Sequence, residues 1–276
     1  YALDWIEWPW QKGAPFYDLN GNGLKDPDED PGLAGADQVV WYVCNDIGVV
    51  QPWQCPATGI EEQTTIWAYN SNDAFGNVVF KRFRLVYKGT AATTVNAHID
   101  SMYVAQWSDP DVGDFNNDLA GCDTALNLGY CYNGNPIDSA YQAHGLPPPA
   151  VGYDLLQGPM VTTGNPADTA ISDFHKVPGA RNLPMTSFIC WIRGTTVLTD
   201  PPFTYDGAKM WNAMLRGLPP RPTPNSPPIL DDQGQITTFM FTGDPVAGTG
   251  WLDGNIPGHT GDPRSIAGSG DRRIII

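Results

Sequence analysis

The run from Asp18 to Glu29, Asp-Leu-Asn-Gly-Asn-Gly-Leu-Lys-Asp-Pro-Asp-Glu, holds the most concentrated chemistry in this 276-residue chain. It fits the pattern D-x-[DN]-x-[DN]-G-x5-E without a mismatch, which is the spacing of a loop that wraps Ca²⁺. A hard cation of this size takes six to eight oxygens in a flexible shell. Asp18, Asn20 and Asn22 alternate, so their side chains converge on one point. Gly23 permits the sharp turn, and the Leu24 carbonyl can supply a main-chain oxygen. Asp26 can reach the ion directly or through water, and Glu29 can close the shell with both carboxylate oxygens. The alternative is an Asn/Gly/Asp turn that binds nothing.

The flanks of the loop decide what kind of site it is. A sensor of the EF-hand type needs a helix on each side. Here Pro9, Gly13 and Pro15 precede the loop, and Pro27, Pro31 and Gly32 lie in or after it. These residues break helices. The expectation is a calcium staple in an extended segment and not a switch.

A second acidic constellation follows at Asp109, Asp111, Asp114, Asp118 and Asp123. Like charges massed this closely repel unless a cation or solvent relieves them. This predicts a second Ca²⁺ site, set against a solvated acidic loop, and its spacing matches no standard calcium loop. The five cysteines offer two local bridges, one over Cys44 and Cys55 and one over Cys122 and Cys131. Either can close in an oxidising compartment, and spacing does not choose between them. Cys190 sits in an apolar run and reads as a buried thiol. The absence of C-x-x-C argues against a zinc knuckle.

Catalytic signatures are missing. None of His98, His144, His175 and His259 belongs to H-E-x-x-H, and there is no G-x-S-x-G elbow or Gly-rich phosphate loop. Besides Glu7 and Glu29, the only glutamates are the adjacent Glu61 and Glu62, which read first as a solvated or edge-protecting pair and second as a weak catalytic candidate, since a glycosidase's acid partners meet only in the fold. The chain is therefore expected not to be an enzyme.

The elements that must position these residues are mostly strands. Gln38–Cys44 is β-rich and apolar. Ile60–Asn70 and Val78–Lys88 alternate, with Asp73–Asn77 as the turn of an antiparallel pair. Further strands are expected over His98–Trp107, Leu126–Tyr132, Met185–Val197 and Gln235–Thr242. Phe203–Leu215 is the one reasonable helix, with Ala208, Met210, Trp211, Met214 and Leu215 on its apolar face. The aromatic segment before the calcium loop (Trp5, Trp8, Trp10, Phe16, Tyr17) reads as core packing or as a sugar-stacking platform. Pro147–Pro149 and the Pro-rich stretch 218–228 are stiff surface connections. Either the closing Ile274, Ile275 and Ile276 add a strand to this or a neighbouring sheet, or the natural chain continues beyond them.

The whole-chain balance narrows the classes of function. The net charge of −15 argues against nucleic acid and against anionic membrane surfaces. No apolar run approaches 18 residues, the length that suggests a membrane-spanning helix, so no membrane insertion is expected. With 30 Gly and 26 Pro the chain is loop-rich, yet its 10 Trp, 11 Tyr and 10 Phe are unlike a disordered composition. The start at Tyr1 without Met suggests a processed or partial product.

Several phrases in order resemble a known family: Tyr17 to Gly23, Gly35 to Asp46, Trp107 to Gly113, Gly121 to Thr124, Leu128 to Gly134, Asn182 to Phe188 and Asp271 to Arg273. Together they resemble the largely uncharacterised large secreted surface proteins of Bacteroidetes-like bacteria that carry a C-terminal type IX secretion sorting domain. The resemblance implies an extracellular or cell-surface location. Cys122 belongs to a family phrase and Cys131 less so, which leaves Cys44–Cys55 as the favoured disulfide. It also implies O-glycans on Asp-Ser/Thr-small or apolar sites, with Ser139 and Thr169 the better candidates and Ser101 and Thr124 further ones.

The expected architecture is mainly β, a sandwich or jelly-roll-like double sheet with calcium-stapled loops. Residues 1–36 should form an aromatic and calcium-loop segment packed on a domain over residues 37–276. The expected function is a non-catalytic, calcium-binding extracellular structural protein, a self-associating subunit of a surface layer or filament. An adhesin or carbohydrate-binding module whose partners are glycans is the second reading, and a secreted carbohydrate-active hydrolase the third.

Overall fold

Alternating β-branched and aromatic residues dictate the first sheet. In the computed structural model, which describes residues 2–33, 35–48, 53–192, 200–219, 228–254 and 268–276, the chain is mainly β and its described strands form small antiparallel sheets. It falls into two compact units, Tyr1–Ile99 and Asp100–Ile276. The division is thus not at the 36/37 boundary read from the sequence, because the first 36 residues pack within the first unit.

That unit opens with a short helix α1 (Ala2–Ile6) and is built on a meander of β1 (Gln38–Asn45), β2 (Ile60–Ala68) and β3 (Val79–Tyr87). Trp67 and Phe80 face each other across β2 and β3 and stack with centroids 5.3 Å apart, the kind of cross-strand pair that fixes register. Phe75 stacks on the same Phe80, and Asp73 accepts a hydrogen bond from the Phe75 N–H to cap the turn. The N-terminal segment lies against the middle strand. Gln63 is buried and donates to the Lys12 carbonyl at 3.3 Å. Gly13, at φ 106°, fits because a Cβ there would stand 2.6 Å from Gln63 Oε1.

The second unit contains β4 (Trp107–Ser108), β5 (Asp118–Asp123), β6 (Leu128–Asn133), α2 (Ser139–Gln142), β7 (Ala150–Asp154), β8 (Met160–Thr162), β9 (Thr169–Ser172), β10 (His175–Pro178), β11 (Ala180–Asn182), β12 (Ile189–Ile192), α3 (Tyr205–Leu215), β13 (Ile229–Leu230), β14 (Ile236–Thr237) and β15 (Arg272–Ile275). Two three-stranded sheets, β5-β6-β7 and β12-β15-β4, share one core, and β8/β11, β9/β10 and β13/β14 are antiparallel pairs beside them. Ala120 and Cys122 from β5 meet Ile189, Cys190 and Trp191 from β12 and Ile274 and Ile275 from β15. Gly129 of β6 sets the approach, since a Cβ there would lie 2.5 Å from Ile276 Cγ2 and 2.7 Å from the Phe188 ring. Helix α3 begins where Thr204 accepts from the Gly207 N–H, and it buries Met210 and Met214, one turn apart.

Three expected strands are shorter than their sequences suggested. His98–Trp107 contributes only its last residue to β4, and Gln235–Thr242 only Ile236 and Thr237. Met185–Val197 yields Ile189–Ile192, and residues 193–199 lie outside the described residues, as do His259 and residues 220–227 of the Pro-rich stretch. The isoleucine run adds a strand to its own unit, as β15 pairs with β12 and β4 and Ile274 is 1% exposed.

One buried ion pair ties these sheets together. Arg272 Nε lies 2.6 Å from Asp253 Oδ2, and Nη2 lies 2.9 Å from Oδ1. Asp253 Oδ2 also accepts from the Ala120 N–H of β5 at 2.8 Å, and Arg272 donates to the Gly268 carbonyl at 2.6 Å. Both side chains are wholly buried. Burial pushes the Asp253 carboxyl up, and the guanidinium and backbone N–H groups work against that. Removing one partner leaves a buried charge alone, so Asp253→Ala should cost about 3–5 kcal/mol. The paired change Asp253→Leu with Arg272→Met should cost far less. Urea midpoints compare the two variants, and equal losses would show that the pair adds no electrostatic constraint.

Candidate metal sites

The calcium-type loop is held at its base by main-chain pairing. Phe16 and Pro31 form an antiparallel bridge, Tyr17 N–H donates to the Asp30 carbonyl and Gly32 N–H to the Pro15 carbonyl, each at 2.9 Å. Between these clamps the carboxylates turn onto the loop's own N–H groups. Asp18 Oδ1 accepts from Gly21 (2.8 Å) and Asn22 (3.1 Å), and its Oδ2 from Gly23 (2.8 Å). Gly21 and Gly23 have φ of 74° and 76°, and a Cβ on either would meet nothing within 4 Å, so glycine is required there for conformation and not for space.

Four of the six predicted ligands gather inside the loop. Asn20 Nδ2 and Asn22 Nδ2 both donate to Asp26 Oδ2, at 2.8 and 2.9 Å, and Asn22 Oδ1 accepts from the Leu24 N–H. Asn20 Oδ1 accepts from the Asn22 N–H at 2.9 Å as Asn22 Oδ1 does from Leu24, so to offer oxygens to a hard cation both amides would have to give up these hydrogen bonds. Glu29 is 2% exposed and closes the loop differently from its expected role: Oε1 accepts from the Leu19 N–H at 2.7 Å and Oε2 from the Asp26 N–H at 3.0 Å. Asp18, Asp26 and Glu29 are not among the described acidic trios whose oxygens lie within 4.8 Å of one another. By donor type and spacing the loop would suit a hard cation such as Ca²⁺, which Asp18, Asn20, Asn22, Leu24 and Asp26 would hold, while Glu29 latches the loop.

The second acidic stretch is brought together only in part. Asp109 and Asp111 meet Asp271, with one oxygen from each inside 4.8 Å. Asp114 instead caps a 3-10 turn by accepting from the Asn116 N–H, and Asp123 accepts from the Ala125 and Leu126 N–H groups in the turn after β5. The predicted five-residue set is thereby corrected, because two of its members serve turns. Arg273 already supplies positive charge: Nη2 is 3.0 Å from Asp109 and Nε 3.1 Å from Asp200. Its Nη1 is 2.9 Å from Asp271 Oδ1, a contact ion pair without hydrogen-bond alignment.

Sequence reasoning missed two participants. Asp271 lies 160 residues beyond Asp111, and only the family-like Asp271-Arg-Arg273 phrase hinted at it. Asp138 is 1% exposed and anchors the acidic loop to β6 and α2, accepting from the Asp114 N–H (2.7 Å), Asn133 Nδ2 (2.9 Å) and the Tyr141 N–H (2.9 Å). Those hydrogen bonds, the Asp114 N–H first, hold its carboxyl below the usual range.

The expected Cys44–Cys55 disulfide is not formed. Both are thiols, with Cys44 exposed on β1 opposite Glu62 and the Cys55 Sγ–H donating to the Trp53 carbonyl at 3.5 Å. Cys122, Cys131 and Cys190 are buried thiols, and burial raises the pKa of each. Ser101, Thr124, Ser139 and Thr169 are all exposed. Glu61 is paired with Lys88 and Gln63, and Glu62 accepts from the Thr64 hydroxyl.

Asp118 is wholly buried, with Oδ2 accepting from the Val112 N–H at 3.1 Å and Oδ1 unpartnered. Burial first, and then the charges of Asp111 and Asp114, push its carboxyl up to about 6, with the Val112 N–H opposing. A carboxyl raised by folding favours the fold at acid pH, and that contribution is lost as pH rises from its ordinary value through about 6. In chelator, Asp118→Asn should therefore be more stable than the parent at pH 7.5 by about 2 kcal/mol, with the gap closing by pH 4. Urea midpoints at the two pH values test this, and a gap independent of pH would remove the charge explanation. Comparison with protein-family models, with curated proteins and with solved structures finds no match, so the candidate sites stand on this geometry.

Proposed function

We propose that this chain is a non-catalytic, calcium-binding structural protein of the cell exterior, a subunit of a surface layer or filament. The observation that carries the calcium part is the clamped 18–29 loop, in which Asn20 and Asn22 converge on the Asp26 carboxylate while the buried Glu29 latches both ends. Support for an exterior location comes from the family-like phrases. The absence of catalytic motifs in the sequence supports the non-catalytic part. Self-association, if driven by strand donation, would have to use another edge, because β15 is paired on both sides.

A ligand bound only by the native state stabilises it by about 2.7 kcal/mol at a hundredfold excess over its Kd. Thermal unfolding in millimolar Ca²⁺ should therefore show the first unit melting several degrees higher than in chelator. Asp18→Asn combined with Glu29→Gln should abolish the shift. Identical melting in calcium and chelator would end the calcium reading. Separately, negative-stain microscopy in calcium should show regular assemblies that fray on chelation, and a monodisperse monomer at high concentration would end the assembly reading.

A further inference from the structure

A cleft of about 320 Å³ lies beside the calcium-type loop, within the first unit. One side is formed by Glu7, Trp8, Trp10 and Gln11, and the other by Lys25 and Asp26 of the loop itself. Its size is at the lower end of the range for small-molecule sites, roughly 300–1,000 Å³. It suits one small polar ring and no larger cofactor.

Three of the lining residues, Trp8, Trp10 and Asp26, are held before any ligand arrives. Trp8 Nε1 donates to the Pro15 carbonyl at 2.7 Å, so its polar edge is used inside the fold and what it offers the cleft is hydrocarbon. Trp10 packs edge-on against Phe16 with centroids 5.8 Å apart, and the turn that carries it is closed by the Gly13 N–H on the Trp10 carbonyl. On the other side the Asp26 carboxylate is held by Asn20 and Asn22, and the Asp26 N–H by Glu29. Pre-organised aromatic and polar groups of this kind lose little entropy when they bind.

The lining chooses the ligand chemistry. The lining is mostly polar, with Glu7, Gln11, Lys25 and Asp26 offering both donors and acceptors, and the two indoles add a smaller apolar part. A phosphate would meet two carboxylates and one ammonium, and a purely apolar ligand would desolvate three charged groups. A neutral sugar ring answers both features, with several hydroxyls for the polar groups and a C–H edge for the smaller apolar part. We propose that this cleft is a saccharide-binding site for a single neutral pyranose, and that cation occupancy of the 18–29 loop sets its affinity through Asp26. The coupling rests on the calcium reading above, whereas the sugar site does not.

The test uses the full chain with methyl β-glucopyranoside, methyl β-galactopyranoside and methyl α-mannopyranoside, followed by saturation-transfer NMR in calcium and in chelator. At least one sugar should bind with a Kd of about 1 mM. Trp10→Ala should abolish the transfer. Gln11→Ala, which changes an exposed side chain and leaves the aromatic packing alone, should weaken binding about tenfold, or 1.4 kcal/mol, and leave calcium affinity unchanged. Chelation should weaken sugar binding several-fold. No transfer to any of the three in calcium overturns the site, and so does transfer that survives both substitutions. Transfer from butylammonium in place of the sugars also overturns it, in favour of a cationic ligand. Calcium calorimetry separates the two readings. Sugar binding that needs Gln11, with no heat from calcium, upholds the site and overturns the coupling.

Discussion

A single guanidinium–carboxylate contact organises the second unit. Arg272 lies in the middle strand of one sheet, Ala120 in an edge strand of the other, and Asp253 in the loop that reaches both. An unpaired charge in that position would be costly, so the sheets can close only in the arrangement that brings the three together. Hydrophobic burial alone would tolerate small slides of Ile274 or Ile189 past their neighbours. The ion pair tolerates few, because its two contacts of 2.6 and 2.9 Å must be met at once.

Its neighbour in sequence does opposite work. Arg272 faces inward and answers one carboxylate, while Arg273 is shared among Asp109, Asp200 and Asp271. Adjacent strand residues point to opposite faces. Two consecutive arginines therefore serve the core and the acidic surface loop in turn, and any one-residue slip of β15 would exchange the two environments.

The first sheet was legible because Val79 to Tyr87 alternates over nine residues and the aromatic Trp67 and Phe80 meet in register. Helix α3 was legible too, except that Thr204 caps it and moves its start to Tyr205. Strand β5 was hidden, since Asp118-Leu-Ala-Gly-Cys-Asp123 carries turn residues and no β-branched one. It is a strand because β6 offers it a partner, with the Tyr130 ring covering Gly121 across the pair. The loop 18–29 announced its spacing, but its clamps come from Pro15–Tyr17 and Asp30–Gly32, whose sequences say nothing about pairing. The acidic cluster was half visible. Local counting finds Asp109 and Asp111, whereas Asp271 joins them only because β15 pairs with β4.

The order of strands in that sheet has a consequence for how the chain comes to be folded. Strands β4 and β12 are separated by 80 residues and never touch as neighbours; the one partner they share is β15, at residues 272–275. A chain that emerges N-terminus first therefore carries two unmated strand edges until residues 272–275 arrive. Unmated edges invite foreign strands, and closing such distant contacts is slow. The first sheet is a meander with no such debt, so the two units complete themselves on different schedules. The second stays open to capture over the whole interval from β4 to β15.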